Sequence, residues 1–137
     1  MKQPMYKIYS DDTKPEILFT DTYKNYTIAI IDRVTHPCAY VKIPKHLEER
    51  IIRDGYPCTE EINCFCHGGV TYMKEGKPHK YLGGDTYGLW IGWDYAHCGD
   101  YKAYYVEIPS DKKWTTEEIL EECKEAVDSL IKNYERG

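Results

Sequence analysis

The chain has 137 residues, of which 42% are hydrophobic and 30% charged, so one folded domain is expected. The formal net charge of −5 disfavours a broad groove for long nucleic acid, because an acidic chain repels a phosphate backbone. No stretch approaches about 18 consecutive apolar residues, so no membrane span is expected. The first residues also lack the apolar core of a signal peptide. We therefore expect a cytoplasmic protein whose six cysteines are reduced.

Tyrosine is unusually abundant, with 14 copies against 2 phenylalanines. A tyrosine ring offers a flat apolar surface with a polar tip, which suits contact with a planar ligand or a protein partner. Half-buried strand positions explain most of these tyrosines equally well, so their abundance alone identifies no function.

Two segments in the first half of the chain have the composition of β-strands. Residues 23–33 form a β-branched, apolar run, and residues 37–44 alternate in polarity between two prolines. The short connection between them favours an antiparallel pair. Residues 45–55 then have the pattern of a short helix that ends at Gly55.

The middle of the chain mixes strand-like pieces with glycine-rich bends. The strand-like pieces lie at residues 62–66, 70–73, 89–94 and 101–113. The first two flank His67-Gly68-Gly69. Residues 74–88 contain five glycines and prolines and show no periodicity, which predicts a long loop.

The C-terminal segment predicts a long helix over about residues 115–135. Thr115 and Glu118 fit a capping box. Behind them, apolar residues recur at steps of three and four: Ile119, Leu120, Cys123, Val127, Leu130, Ile131 and Tyr134. The residues expected on the solvent side are Glu121, Glu122, Glu125 and Lys132. We therefore predict a single α+β domain over residues 1–137. A mainly antiparallel sheet of five or six strands lies within the strand-rich residues 1–110, with the helix packed on one face.

The stretch "HGGVTY" (67–72) is the first candidate for a functional site. Two adjacent glycines allow positive φ and a close approach by a ligand, and exposed N–H groups in such a bend can bind an anion. His67 would then contact the bound group. An ordinary Gly-Gly hairpin turn explains the same residues without a ligand.

A second polar cluster follows the strand-like piece at 89–94 and consists of Asp94, His97 and Asp100. Gly99 argues against a helix there, so we expect a loop at a strand end that faces the His67 bend. An aspartate in this position can orient a histidine. Turn-capping by the aspartates is the alternative explanation.

These two clusters supply the candidate site residues. The candidate catalytic residues are His67, Asp94, His97 and Asp100. The candidate ligand-binding residues are Gly68, Gly69, Thr71, Tyr72, Trp90, Trp93 and Tyr95. Strand alternation sends Trp90 and Trp93 to opposite faces, so only one of the two can line a pocket.

Metal and thiol chemistry are weaker alternatives. The side chains that could bind zinc are Cys64, Cys66, His67, His97 and Cys98, but they lack the two spaced pairs typical of structural zinc sites. No structural metal and no other cofactor is predicted. A divalent cation held by the histidines and aspartates stays an open alternative. Nothing in the spacing singles out Cys98 as a nucleophile.

Three motifs together, "YVKIP", "CHGGVTY" and "LWIGWDYAHCGD", resemble a family of small, mostly uncharacterised proteins of bacteriophages and bacterial mobile elements. The family pattern contains His-Gly-Gly-x-Thr-Tyr/Phe, followed after a variable loop by Trp-x-Gly-Phe/Trp-Asp-x-x-His-x-Gly-Asp. The resemblance covers residues 40–100. The matching positions are His67, Gly68, Gly69, Thr71, Tyr72, Trp90, Gly92, Trp93, Asp94, His97, Gly99 and Asp100. Cys64, Cys66 and Cys98 are outside the pattern.

The resemblance implies a phage protein that acts in the cytoplasm of a bacterial host and counters host defence. The leading interpretation is that it binds, and sequesters, a small nucleotide-like signalling ligand. The ligand's base would stack on one of Tyr72, Trp90, Trp93 and Tyr95, and its phosphate would meet the Gly-Gly bend.

Two other functions stay open. One is a nucleotide-processing hydrolase in which His67 or His97 performs acid–base chemistry, with or without a metal. The other is an inhibitor that binds a host protein through its tyrosines. Whether the ligand is turned over, and whether the chain forms a homo-oligomer, is left open by the sequence.

Overall fold

The computed structural model describes residues 16–33, 36–52, 62, 64, 66–79, 82–84, 86–95 and 114–135. Within these ranges the strands are β1 (Glu16–Tyr23), β2 (Tyr26–Asp32), β3 (Pro37–Lys42), β4 (Tyr72–Gly76) and β5 (Gly88–Asp94). A 3-10 turn (Lys45–Leu47) leads into the short helix α1 (Glu48–Ile51). The long helix α2 (Thr116–Leu130) continues into a π-helical turn (Ile131–Glu135). None of the described helices has both the length and the apolar character that a membrane crossing requires.

The strands form one sheet in the order β1-β2-β3-β5-β4, and every neighbouring pair is antiparallel. The predicted antiparallel sheet and the predicted pairing of β2 with β3 are therefore confirmed. The hairpin between β1 and β2 turns at Lys24 and Asn25, whose φ values of 50° and 73° suit the tight turn of a two-residue hairpin.

The structure differs from the prediction at β1, at residues 62–66 and at the bounds of β4. Strand β1 was missed, because this edge strand is half exposed and mixes polar with apolar residues. Ile62, Cys64 and Cys66 are not in a strand. Strand β4 starts later than the predicted 70–73 and continues to Gly76, so it includes the first residues of the predicted loop at 74–88. The predicted strand at 101–113 lies outside the described residues.

Helix α2 covers one face of the sheet, which we call the helix side. The buried residues of α2 are Ile119, Cys123, Ala126, Val127 and Leu130, and they pack with Ile28, Val41, Ile91 and Trp93 of the sheet. The capping box is also present: the Glu118 amide donates to Thr115 Oγ1 at 3.1 Å, and the Thr115 amide donates to Glu118 Oε1 at 3.0 Å. The predicted helix and its apolar face are therefore confirmed.

The opposite face, which we call the loop side, is covered by parts of the segment that joins β4 to β5. Leu82 is buried there against Tyr40 and Trp90. The Trp90 indole N–H donates to the Thr86 carbonyl at 2.8 Å. Arg33 donates to the Tyr40 hydroxyl at 3.1 Å and to the carbonyl of Pro78 in the same segment. Because both faces are covered, the central strands are apolar along their length and do not simply alternate.

Truncation of the α2 core tests the packing on the helix side. Leu130 is fully buried, so Leu130→Ala should lower the free energy of unfolding by about 2–5 kcal/mol through lost burial and the cavity left behind. Glu125→Ala, at an exposed position of the same helix, is the control and should change stability by less than about 0.5 kcal/mol. Urea unfolding measures both. Equal, small effects would show that this face of α2 does not pack on the sheet.

Alkaline titration tests the loop side. Burial raises the pKa of Tyr40 to about 12 and that of Cys38 to about 11. A raised pKa means that folding favours the protonated form of the group. The resulting stabilisation of the fold is fully present below about pH 9 and is lost as the pH approaches about 12. The free energy of unfolding of Tyr40→Phe should therefore fall less steeply between about pH 9 and 12 than that of the wild type. Tyr87→Phe, on an exposed ring, should follow the wild-type curve, and identical slopes for Tyr40→Phe and wild type would contradict the prediction.

Candidate functional site

The side chains of β5 separate the predicted site residues between the two faces of the sheet. Trp93 and the following Tyr95 are buried on the helix side, each 1% exposed. Trp90 is buried on the loop side. The predicted opposite orientation of the two tryptophans is therefore confirmed, and both indoles are enclosed by core residues.

Asp94 faces the loop side. It lies directly across from Cys38 in the β3–β5 pairing, and Cys38 packs with Tyr40 and Trp90 on that side. The Asp94 carboxylate also helps to raise the pKa of the Cys38 thiol, after the larger effect of burial. Directly opposed residues of neighbouring strands point to the same face, so the structure places Asp94 away from the helix side.

Tyr72 is the next predicted ligand-binding residue, and it also lies on the loop side. Its ring meets that of Tyr40 edge-on, with centroids 5.1 Å apart. The structure therefore groups Tyr72, Trp90 and Asp94 on one face, and it groups Trp93 and Tyr95 on the other.

On the helix side, a chain of hydrogen bonds joins the sheet to α2. The Trp93 indole N–H donates to the Tyr95 hydroxyl at 3.0 Å, and that hydroxyl donates to Glu122 Oε1 at 2.5 Å. Burial, and then the bond to Glu122, raise the pKa of Tyr95 far above its ordinary value. The Tyr95 hydroxyl therefore stays protonated, and it accepts one hydrogen bond from Trp93 and donates one to Glu122.

His67 packs on this fixed tyrosine. Its ring lies parallel to that of Tyr95, with centroids 4.6 Å apart and an interplanar angle of 10°. The Trp114 ring lies 5.0 Å from each of the two, tilted by 66° to His67 and by 56° to Tyr95. His67 and Trp114 are partly exposed, whereas Tyr95 is buried. The imidazole is thus held by its stack on a tyrosine that hydrogen bonds fix in place.

The predicted glycine bend is present as a turn of residues 66–69, and this turn sets the position of His67. The Gly69 amide donates to the Cys66 carbonyl at 3.2 Å, which closes a four-residue turn. Gly68, in the third position, has φ of 69°, a value that a type II turn requires and that glycine adopts readily. Gly68 and Gly69 are exposed. The turn therefore presents backbone to solvent next to the His67 ring.

Thr71 links this turn to the sheet. It is exposed, and its amide donates to the Gly92 carbonyl of β5 at 2.9 Å. His97 and Asp100 lie outside the described residues, so the predicted proximity of His97 to His67 stays a prediction.

Two residues of the helix-side site were missed by the sequence interpretation. Glu122 was expected on the solvent side of α2, but its carboxylate turns inward to accept from Tyr95. Trp114 directly precedes the helix cap and was not considered. The position of Trp114 next to the capping residue Thr115 was an available signal. The helical period was an available signal for Glu122, which lies three residues after Ile119 and four before Ala126 and so borders the buried face, whereas Glu121 lies on the opposite side of α2.

Within the described parts of the chain, no group of three or more His, Cys, Asp or Glu side chains is arranged to hold a metal ion. The metal alternatives that use His97, Cys98 and Asp100 concern residues outside those parts.

Removal of the Tyr95 hydroxyl tests the buried chain. In Tyr95→Phe the Trp93 indole loses its acceptor and Glu122 loses a donor, so the free energy of unfolding should fall by about 1–3 kcal/mol. A double-mutant cycle with Glu122→Gln should show a coupling energy of at least about 0.5 kcal/mol. Chemical denaturation measures all four proteins. Additive effects would contradict a direct interaction between Tyr95 and Glu122.

Comparisons with protein-family models, with curated proteins and with solved structures found no match to this chain. Function therefore has to be inferred from the geometry around His67.

Proposed function

We propose that the protein binds a small anionic, nucleotide-like ligand at the turn formed by residues 66–69, with His67 as the central contact. The observation that carries this proposal is the stack of the partly exposed His67 ring on buried Tyr95. A side chain that is already immobilised loses little conformational entropy when a ligand binds, and so contributes more to affinity.

The surroundings of the turn favour an anionic group. Gly68 and Gly69 are exposed next to His67 in the chain. The Gly69 N–H closes the turn by donating to the Cys66 carbonyl, so the groups that would meet an anion are the Gly68 N–H and the His67 ring. A Cβ atom built on Gly69 would meet no atom within 4 Å, so there is room for a ligand beside the turn.

The position of the aromatic rings changes which residues would contact a base. Trp90 and Trp93 are enclosed by core residues, and Tyr72 lies on the loop side. Trp114 is partly exposed and lies 5.0 Å from His67. A planar base would therefore stack on Trp114 or His67, while Tyr95 supports the His67 ring from below.

The resemblance to phage proteins favours sequestration of a nucleotide signal as the biological use of this site. Turnover of the ligand, with His67 as a general acid or base, is the second candidate. The two differ in the fate of the ligand, because a protein that only sequesters returns it chemically intact.

Two substitutions of His67 distinguish a role in ligand binding from a role in the stability of the fold. His67→Phe keeps an aromatic ring on Tyr95 but removes both ring nitrogens, so it should retain stability and weaken binding at least about tenfold. His67→Ala also removes the stack, which should cost about 0.5–1.5 kcal/mol of stability. Native mass spectrometry of protein produced in bacteria identifies a retained ligand. Calorimetric titration with a panel of nucleoside phosphates and inorganic phosphate measures affinity.

His79→Ala, in the segment between β4 and β5, is the matched control and should bind like the wild type. Recovery of intact nucleotide after heating supports sequestration, and recovery of a cleaved product supports the hydrolase. If the wild type retains no nucleotide and binds none of the panel, or if His67→Phe binds as tightly as the wild type, the proposal is contradicted.

A further inference from the structure

A cluster of free thiols lies on the helix side next to the turn at residues 66–69, and the sulfur atoms are not among the proposed ligand contacts. Cys64 and Cys66 are partly exposed, whereas Cys123 is buried in the core of α2. Cys64 lies against the last turns of α2: the Ser129 hydroxyl donates to its sulfur at 3.8 Å, and its own S–H points to the Ala126 carbonyl at 3.8 Å. Cys64 and Cys66 are therefore partly accessible to solvent, and contacts with α2 fix the position of Cys64.

The two partly exposed thiols are chemically unequal. Hydrogen bonds from Cys66 and then Ser129 lower the pKa of Cys64, against an opposing effect of burial. The same bond to Cys64, burial and the Glu122 carboxylate raise the pKa of Cys66. A thiol that ionises easily attacks a disulfide as its thiolate, and a neighbouring thiol completes the exchange once it has given up its own proton.

We propose that Cys64 and Cys66 form a redox-active dithiol that reduces small-molecule disulfides, with Cys64 as the attacking sulfur. One residue separates the two cysteines, so their Cα atoms are at most about 7 Å apart. That distance lies at the upper end of the range that disulfides span. The hydrogen bond between the two side chains places their sulfur atoms on the same side of the chain.

The exchange takes place in two balanced steps. The Cys64 thiolate attacks one sulfur of a disulfide RSSR, which forms a Cys64–SR bond and releases RS⁻. Cys66 then loses its proton to solvent and attacks the Cys64 sulfur, which forms the Cys64–Cys66 disulfide and releases the second RS⁻. Two electrons pass from the protein to RSSR, and the products are two RSH molecules after protonation.

Peptide mapping detects the product directly. The reduced full-length protein is mixed with glutathione disulfide, the remaining thiols are alkylated, and the chain is cleaved after glutamate. Cleavage at Glu61 and Glu75 releases residues 62–75, which contain Cys64 and Cys66 but not Cys58. We expect this peptide to lose two hydrogen atoms in mass and to take up no alkylating group.

Variants identify the role of each sulfur. Cys66→Ser should stop after the first step and accumulate a glutathione adduct on Cys64. Cys64→Ser should form neither the adduct on residues 62–75 nor the disulfide. Cys38→Ser, at a buried thiol on the loop side, is the control and should oxidise like the wild type. Circular dichroism confirms that each variant is folded.

Alkylation of the unmodified wild type gives a measurement that does not depend on any variant. With limiting iodoacetamide at neutral pH, Cys64 should react at least about ten times faster than Cys38 or Cys123. Equal rates at these thiols, a wild-type peptide 62–75 without the disulfide, or exchange carried by Cys58 or Cys98 would overturn the proposal. Loss of exchange in Cys64→Ser with retained nucleotide binding would separate this activity from the His67 site.

Discussion

The arrangement of this protein depends on strand β5, which lies between β3 and β4 and is covered on both faces. Helix α2 covers one face, and parts of the segment between β4 and β5 cover the other. Each side chain of β5 therefore has to fit one of two packed layers. That constraint separates Trp93 from Trp90, and it directs Asp94 away from Tyr95. The face on which a residue lies therefore decides which other side chains it can contact.

The helix side contains an unusual buried polar connection. The Trp93 indole, the Tyr95 hydroxyl and the Glu122 carboxylate are joined by hydrogen bonds beside the apolar core that α2 forms with the sheet. A carboxylate that accepts from a buried donor gains far more from the interaction than one on the surface, because water does not compete for the donor. The same connection holds Tyr95 still beneath His67, so core packing and the candidate site are mechanically linked.

The thiols and the His67 turn are neighbours in the chain. The Cys66 carbonyl accepts the hydrogen bond that closes the turn, and the carboxylate of Glu122 acts on both Tyr95 and Cys66. A covalent bond between Cys64 and Cys66 would therefore form beside the first residue of the turn. Ligand binding and thiol chemistry are distinct proposals, but one helix, α2, supports the residues of both.

Elements that depend only on residues close together in the chain could be recognised from the sequence. The apolar period and capping box of α2, the β-branched run of β2 and the glycine bend after His67 each depend on residues close in the chain, so they can be recognised without knowledge of the fold. The antiparallel α+β class follows from their order.

Which of these residues come into contact depends on how the sheet and α2 pack together. The edge strand β1 forms because it pairs with β2, and its own composition does not mark it as a strand. The pairing of β3 with β5 brings together residues that are far apart in the sequence. The helical period places Glu122 at the border of the buried face of α2, but only the folded structure brings the Tyr95 hydroxyl within hydrogen-bond distance of its carboxylate. Asp94 and Tyr95 are adjacent in the chain yet face opposite layers, because a strand directs successive side chains to opposite faces of its sheet.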